Sequence, residues 1–291
     1  MLLRILSIVF PVFAVAAVGY LYGRYKRPDM ALANQLNMHV FVPVLVFSAL
    51  AHKSFDLSTY SALALGGALV VLGSGLLAWP FARLLKVDPR TFVPPMMFNN
   101  SGNMGLPLAL LAFGEEALPA AIVLFIVEMA LHFSLGAYIL DHRMRPAQLL
   151  RIPVIVATLL GLAFSASGLT LPAPVETTLK MLGDIAIPLL LFSLGVRLTE
   201  VSFKDWHLGL WGAVLCPATG LAMVALVAPF LHLPPQQMSL LIIFGALPPA
   251  VLNYIVAEQY RQEPEKVASI VMLANVGSLA VMPFALAVAL R

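Results

Sequence analysis

Long apolar runs separated by short polar links fill this chain, at roughly 4–22, 32–52, 58–84, 91–113, 117–140, 148–168, 175–197, 207–231, 238–260 and 266–290. Each run approaches the ~20 residues that a helix needs to cross the ~30 Å hydrocarbon core of a bilayer. The pattern therefore predicts ten transmembrane helices in an all-α polytopic membrane protein. Composition agrees: 61% of residues are hydrophobic, 11% are charged, and the mean hydropathy is +0.95, values outside the range of soluble domains.

The polar links carry the topology. Taken alternately, one side holds 13 of the 17 basic residues, in clusters such as Arg24-Lys26-Arg27, Arg83-Lys86-Arg90 and Arg143-Arg145-Arg151. The other side holds Arg4, Lys53, Lys180 and Arg291. The positive-inside rule then places both termini on the non-cytoplasmic side of a cell membrane, expected to be a bacterial inner membrane. The first run has its basic cluster after it, which favours a retained span over a cleaved leader. The net charge of +3 belongs to these links, so no nucleic-acid partner is expected. The lone Cys216 excludes an internal disulfide and a multi-cysteine metal site, and no cofactor is expected.

Two runs contain residues that a lipid-facing helix avoids. The fourth reads Phe98-Asn99-Asn100-Ser101-Gly102-Asn103-Met104-Gly105-Leu106-Pro107. Pro107 lacks an N–H and its ring clashes with the carbonyl of Asn103, while Gly102 and Gly105 let the backbone unwind, so the helix is expected to break before Pro107 and restart with Asn103 as its cap. In the ninth, Pro248 and Pro249 remove two donors and push Leu247 out of the helical region. Unwound backbone at membrane depth is tolerated only where protein or a water-filled cavity covers it. Two broken helices with their second-half N-termini at the centre would make a place for a carboxylate. Prolines that only kink packed helices are the plainer reading.

The halves correspond. Leu36 to Ser48 in the second run and Met181 to Ser193 in the seventh place Pro, Phe and Ser at one constant offset, as Pro43-Phe47-Ser48 and Pro188-Phe192-Ser193. Pro80-Phe81 answers Pro229-Phe230, and the polar break of the fourth run answers Leu247-Pro248-Pro249. The pattern predicts a five-plus-five inverted repeat, 1–145 and 146–291, with crossed broken helices at spans four and nine.

Asn100-Ser101-Gly102-Asn103-Met104-Gly105-Leu106-Pro107, with Leu108 and the Phe113-Gly114 exit, resembles the auxin efflux carrier family, which includes plant auxin exporters and bacterial carriers assigned to malonate and malate. The resemblance extends over the whole chain. It implies a fold like that of NhaA and the bile-acid symporters, with a scaffold from spans 1, 2, 6 and 7 (about 4–52 and 148–197) and a transport domain from spans 3–5 and 8–10 (about 58–140 and 207–290). It implies elevator-type transport of a small organic anion, in the export direction, with Asn100 matching the family's substrate-contacting asparagine and dimerisation through the scaffold by analogy. The long central loop of the plant carriers is missing here, where the link is a short stretch around Asp141 to Pro146.

The substrate site is accordingly expected at Asn100, Ser101, Gly102, Asn103, Met104, Gly105, Pro107, Pro248, Pro249 and Asn253, with Pro43 and Pro188 as scaffold hinge or contact positions. His39, Asp184 and Glu128 are candidates for vestibule lining or for coupling to protons or sodium. Structural roles stand against them: pairing and snorkelling are frequent plain explanations for such residues, Asp184 lies one turn from Lys180, a spacing at which charges often only neutralise each other, and Glu128 with His132 can belong to the packed interior. Asn275 is read as a helix–helix hydrogen-bonding residue. An intramembrane enzyme is disfavoured, because no nucleophile elbow or His-Glu-x-x-His occurs. A sodium-coupled bile-acid-like symporter is the alternative carrier, and a channel is more remote.

Overall fold

A computed structural model of the chain describes residues 1–51, 57–140, 151–200 and 204–290. Lys53, Arg143, Arg145, Arg291, the central link and the boundary at 145/146 lie outside the described residues. The described structure is all helical, without strands. Among the described residues seven helices are long and apolar enough to cross a membrane: α1 (Leu2–Lys26), α2 (Ala31–Leu50), α3 (Ser58–Leu84), α6 (Glu115–Leu140), α8 (Ala173–Arg197), α9 (Trp206–Leu231) and α12 (Pro264–Ala289). The remaining five are shorter: α4 (Pro89–Met97) and α5 (Ser101–Phe113) fill the fourth run, α7 (Pro153–Ala166) the sixth, and α10 (Pro235–Ala246) and α11 (Leu252–Gln259) the ninth. The protein is thus a polytopic helical membrane protein whose fourth and ninth apolar runs are each two helices.

Outward faces carry Leu3, Phe10, Leu76, Leu84, Leu226, Phe230 and Phe284, all well exposed, as a lipid-facing surface requires. Inside, small residues set how closely helices approach. A Cβ on Gly195 of α8 would lie 1.8 Å from the Ala16 carbonyl oxygen of α1, and one on Gly220 of α9 would lie 1.9 Å from that of Gly245 in α10. Without a hydrophobic drive between helices in lipid, such close backbone contact supplies much of the association. Helix α1 packs along α8, α2 against α7 and the first half of α8, and α9 against α12, α3 and α10. Helix α3 also packs on α4 and α6.

Pro43 and Pro188 each follow an irregular turn. In α2 the N–H of Val42 reaches five residues back to Asn37, and this wide turn precedes Pro43, which is buried. In α8 the helix opens into a turn at Asp184-Ile185, and Pro188, which is exposed, leaves the Asp184 carbonyl without its usual donor. Asn37 is fully buried there and donates to the Ala186 carbonyl at 3.2 Å, joining α2 to α8.

The polar ends tie neighbouring links together. Asp88 caps α4 through the Arg90 N–H at 2.9 Å and accepts from Gln262 at 3.1 Å. Thr91 donates to Glu263 at 2.6 Å, and Lys266 pairs with the same carboxylate. Hydrogen bonds from Lys266 and then Thr91 hold the Glu263 carboxyl below the usual carboxylate range. At the other end Lys180 of α8 pairs with Glu115 of α6 at 2.7 Å.

Candidate functional site

The two breaks meet. The N–H of Asn100 donates to the Pro248 carbonyl at 2.7 Å and that of Ala250 to the Phe98 carbonyl at 2.9 Å. Asn99 and Pro249 face each other as one antiparallel bridge. They form its non-hydrogen-bonded pair, the position at which the missing N–H of Pro249 costs nothing. In a continued ladder Asn100 and Pro248 would exchange two bonds. Pro248 has no N–H, so the Asn100 carbonyl is left to accept from Met104 at 3.0 Å and Gly105 at 3.1 Å and to start α5. On the partner segment the Ala250 carbonyl likewise accepts from the Asn253 N–H at 3.1 Å and starts α11. Leu247 has extended backbone, as its place before proline predicts.

The break in the fourth run therefore differs from the sequence expectation. It lies at Phe98 to Asn100, and Asn100, not Asn103, is the capping position. Gly102 to Gly105 belong to a wide first turn of α5, which accommodates Pro107 without ending the helix. The two glycines serve close packing: a Cβ at Gly102 would lie 3.1 Å from the Phe125 ring and one at Gly105 3.0 Å from Leu247.

Buried amides hold the pairing together. Asn99 donates to the Phe244 carbonyl at 2.6 Å, and Asn253 to those of Phe98 at 2.8 Å and Ala250 at 2.9 Å. Asn275 of α12 donates to the Pro249 carbonyl at 2.9 Å and accepts from Asn100 Nδ2 at 2.9 Å. Ser101 donates to Glu128 of α6, and both are buried. One turn on, the buried His132 ring stacks on Phe98 with centroids 4.2 Å apart. The side chain of Asn103 is half-buried and makes no hydrogen bond within the described residues. The N–H groups of Ser101, Gly102 and Asn103 precede the first bonds of α5 and have no acceptor among the described residues, which concentrates positive partial charge there. A small cavity of about 20 Å³ adjoins Ser101, Gly105, Phe244 and Leu247, room for about one water.

Of the expected site residues, Asn100, Ser101, Pro248, Pro249 and Asn253 are brought together here, with Gly102, Asn103, Met104, Gly105 and Pro107 in the adjoining first turns of α5. Glu128 joins them through Ser101. His39 is exposed, with Nδ1 2.9 Å from the Gln35 carbonyl, and Asp184 is exposed and 3.6 Å from Lys180. Sequence reasoning missed Asn37, the third of three amides (Asn34, Gln35, Asn37) at the start of the second run and six residues before a proline. Among the described residues no group of three or more His, Cys, Asp or Glu is placed to hold a metal ion.

The sequence matches the model of a family described as "Membrane transport protein" in two segments, residues 4–149 and 142–286. The chain belongs to that family. This is the auxin-efflux-carrier type of membrane transporter, in agreement with the Asn-Ser and Met-Gly-Leu-Pro resemblance. An uncharacterized transporter of Methanocaldococcus jannaschii is 22% identical, over 95% of this chain and 96% of its own. A Rhizobium meliloti protein named "Putative malonate transporter" is 24% identical over 95% of this chain and 93% of its own. An uncharacterized transporter of Methanothermobacter thermautotrophicus is 27% identical over 94% and 95%. The protein is a multi-pass membrane transporter, and neither the family nor these relatives are enzymes by name.

Proposed function

We propose that this transporter is a secondary carrier of small organic anions, carboxylates such as malonate, malate or an auxin-like acid, moved by elevator-type alternating access. The observation that carries the reading is the pairing of the two broken helices through Phe98 to Asn100 and Pro248 to Ala250. It sets the unpartnered N–H groups of Ser101 to Asn103 beside buried amides, a setting suited to a carboxylate without lysine or arginine. The relative named for malonate transport supports the substrate class. The first turn of α5 packs against the second half of α8, so the substrate's remainder would meet the surface around Pro188 and, across α2, Pro43. In this reading α1, α2, α7 and α8 form the scaffold, the other helices move against it, and two five-span halves are related by inversion. Both termini then face away from the cytoplasm, and two copies would join through the scaffold.

Glu128 gives the site a natural gate. A serine hydroxyl has one proton to donate, and that of Ser101 goes to Glu128. Protonating Glu128 removes a negative charge beside an anionic substrate and releases the Ser101 hydroxyl to it. His132 lies one turn on along the same helix, and Cys216 of α9 is a further buried titratable group. His39 and Asp184, being exposed, are weaker candidates for this role. An inside-negative potential expels an anion, at about 2.3 kcal/mol per charge per 100 mV, so export is the downhill direction.

A second reading has its own support. The buried amide oxygens of Asn99 and Asn253 have no donor among the described residues, and a hard cation such as sodium takes oxygen ligands. Charge movement in proteoliposomes on a solid support, challenged with malonate, malate, lactate, indole-acetate and taurocholate with and without sodium, separates the two. A carboxylate current that persists without sodium and is lost in Asn100→Ala supports the carrier proposed. A current that needs sodium favours a bile-acid-like symporter.

A further inference from the structure

We propose that the cleft between the basic ends of α1 and α8 binds the phosphodiester of an anionic phospholipid. This cleft encloses about 430 Å³ and is lined by Gly23, Arg24, Arg27, Pro28, Val196 and Thr199. Its volume falls in the range of ligand pockets, about 300–1,000 Å³. It is separate from the paired breaks, and the inference does not depend on which substrate crosses there.

Depth is the first argument. Helix α1 has 25 residues, about 37 Å at 1.5 Å per residue, so it exceeds the ~30 Å hydrocarbon core and its last turn enters the headgroup layer. The preceding turns expose Tyr20, Tyr22 and Tyr25, the aromatic belt that marks this boundary. Arg24 and Arg27 therefore stand at the level of lipid phosphates. Next to them Leu21 and Val18 are exposed down the same helix, which offers an apolar path for acyl chains.

Chemistry is the second. Among the described residues neither Arg24 nor Arg27 has an ion-pair or hydrogen-bonding partner for its side chain. Glu263 pairs with Lys266, Glu265 with Lys204 and Glu115 with Lys180, and Asp29, the acid next to the cleft in sequence, accepts from the Ala31 N–H at 2.8 Å. The positive-inside rule accounts for charge on this side but not for two arginines lining one cleft. Arg27 has left-handed backbone, φ 45°, and its N–H closes α1 on the Gly23 carbonyl at 3.0 Å, so the chain turns over the cleft instead of away along the helix. Gly23 forms the floor. A Cβ there would lie 3.0 Å from Thr199 Cγ2 and 3.2 Å from Val196 Cα, so a side chain would occupy the space between the two helices. Guanidinium forks bind phosphate oxygens bidentately, which an ammonium cannot do, and basic pockets between membrane helices suit anionic headgroups.

The test is lipid retention by the full-length protein, purified in detergent and exchanged into vesicles of phosphatidylcholine doped with phosphatidylglycerol or cardiolipin, then read by native mass spectrometry. Wild type is expected to keep the anionic lipid and release phosphatidylcholine. The Arg24→Gln/Arg27→Gln pair should lower retention about fivefold for each guanidinium lost, the effect of one basic residue beside an anionic surface. Lys26→Gln, which removes a charge outside the cleft, should retain the lipid. Because charge loss can disturb insertion, Arg24→Lys/Arg27→Lys keeps the charge and removes only the forks, and it is expected to weaken retention as well. Competition with inorganic phosphate separates sources: displacement at millimolar phosphate would mean a soluble-anion site and overturn the lipid assignment. Equal loss in Lys26→Gln, or unchanged retention in both arginine pairs, would also overturn it.

Discussion

Asn275→Ala is the sharpest single perturbation of the paired breaks. The substitution leaves the Pro249 carbonyl without its donor and Asn100 Nδ2 without its acceptor, both now held at 2.9 Å. The bond from Asn275 to the Val271 carbonyl, at 2.8 Å, is local to α12 and its loss leaves no partner stranded across the bundle. An unpaired buried polar group costs about 1–3 kcal/mol in soluble proteins. Inside bilayers the measured mean is lower, about 0.6 kcal/mol with a maximum near 1.7, because displaced groups find other partners. The membrane scale applies to helix–helix bonds such as these, so two of them give a loss of about 1–3 kcal/mol. That loss is expected as lower thermal stability in detergent, and, since Asn100 is released, as at least about fivefold weaker apparent substrate affinity in counterflow. Val276→Ala, an exposed change on the same helix, is the control. Lower stability with unchanged affinity would mean that Asn275 braces the fold but not the site, and no change in either would mean that its bonds to Pro249 and Asn100 carry neither.

Glu128→Gln, which fixes a neutral side chain beside Ser101, is expected to flatten the pH dependence of transport while substrate exchange continues; a pH profile like that of wild type would remove Glu128 from the gate. Gly195→Ala forces a methyl group against the Ala16 carbonyl of α1, 1.8 Å away before any adjustment. Overpacking costs about 1–3 kcal/mol, so the melting temperature and the yield of monodisperse protein should fall, and normal values of both would count against this seam. Glu263→Gln removes the carboxylate that Lys266 and Thr91 hold below its ordinary range. The contribution of a depressed carboxyl is present above its unfolded value, about 4.3, and fades as pH falls through the lowered one. With 37% of the Glu263 side chain exposed, screening limits it to about 1 kcal/mol or less, so wild type and variant should differ slightly in melting temperature near neutral pH and converge in acid.

Much of this fold was legible because membrane spans follow from length and hydropathy, and because proline and asparagine stand out in apolar surroundings. Leu247 could be assigned extended backbone from its two following prolines alone. The pairing between breaks was not legible, since it depends on backbone donors and acceptors that any sequence carries. Only Pro248 and Pro249 constrain it, and only once their partner strand is known. For the same reason the capping position was misplaced from Asn100 to Asn103: local propensity permits either, and the carbonyl left free by Pro248 decides. Asn275 was read as a bonding residue but its partners lie 175 and 26 residues away in sequence, beyond any local pattern. Asp184 shows the converse, because its i, i+4 neighbour was visible while the closer partner of that lysine, Glu115, lies in another helix.

In the proposed mechanism the open first turn of α5 faces the transported anion. Asn103 tests it most directly, being half-buried with an uncommitted side chain. The chain's only cysteine, Cys216, is buried with Sγ 3.5 Å from the Leu247 carbonyl, so background labelling is low. Asn103→Cys, treated with a small hydrophilic thiol reagent in proteoliposomes that still transport, is expected to label, and a transported carboxylate is expected to protect it in proportion to its occupancy. Labelling at an unchanged rate under saturating substrate would mean that the anion does not bind at this turn.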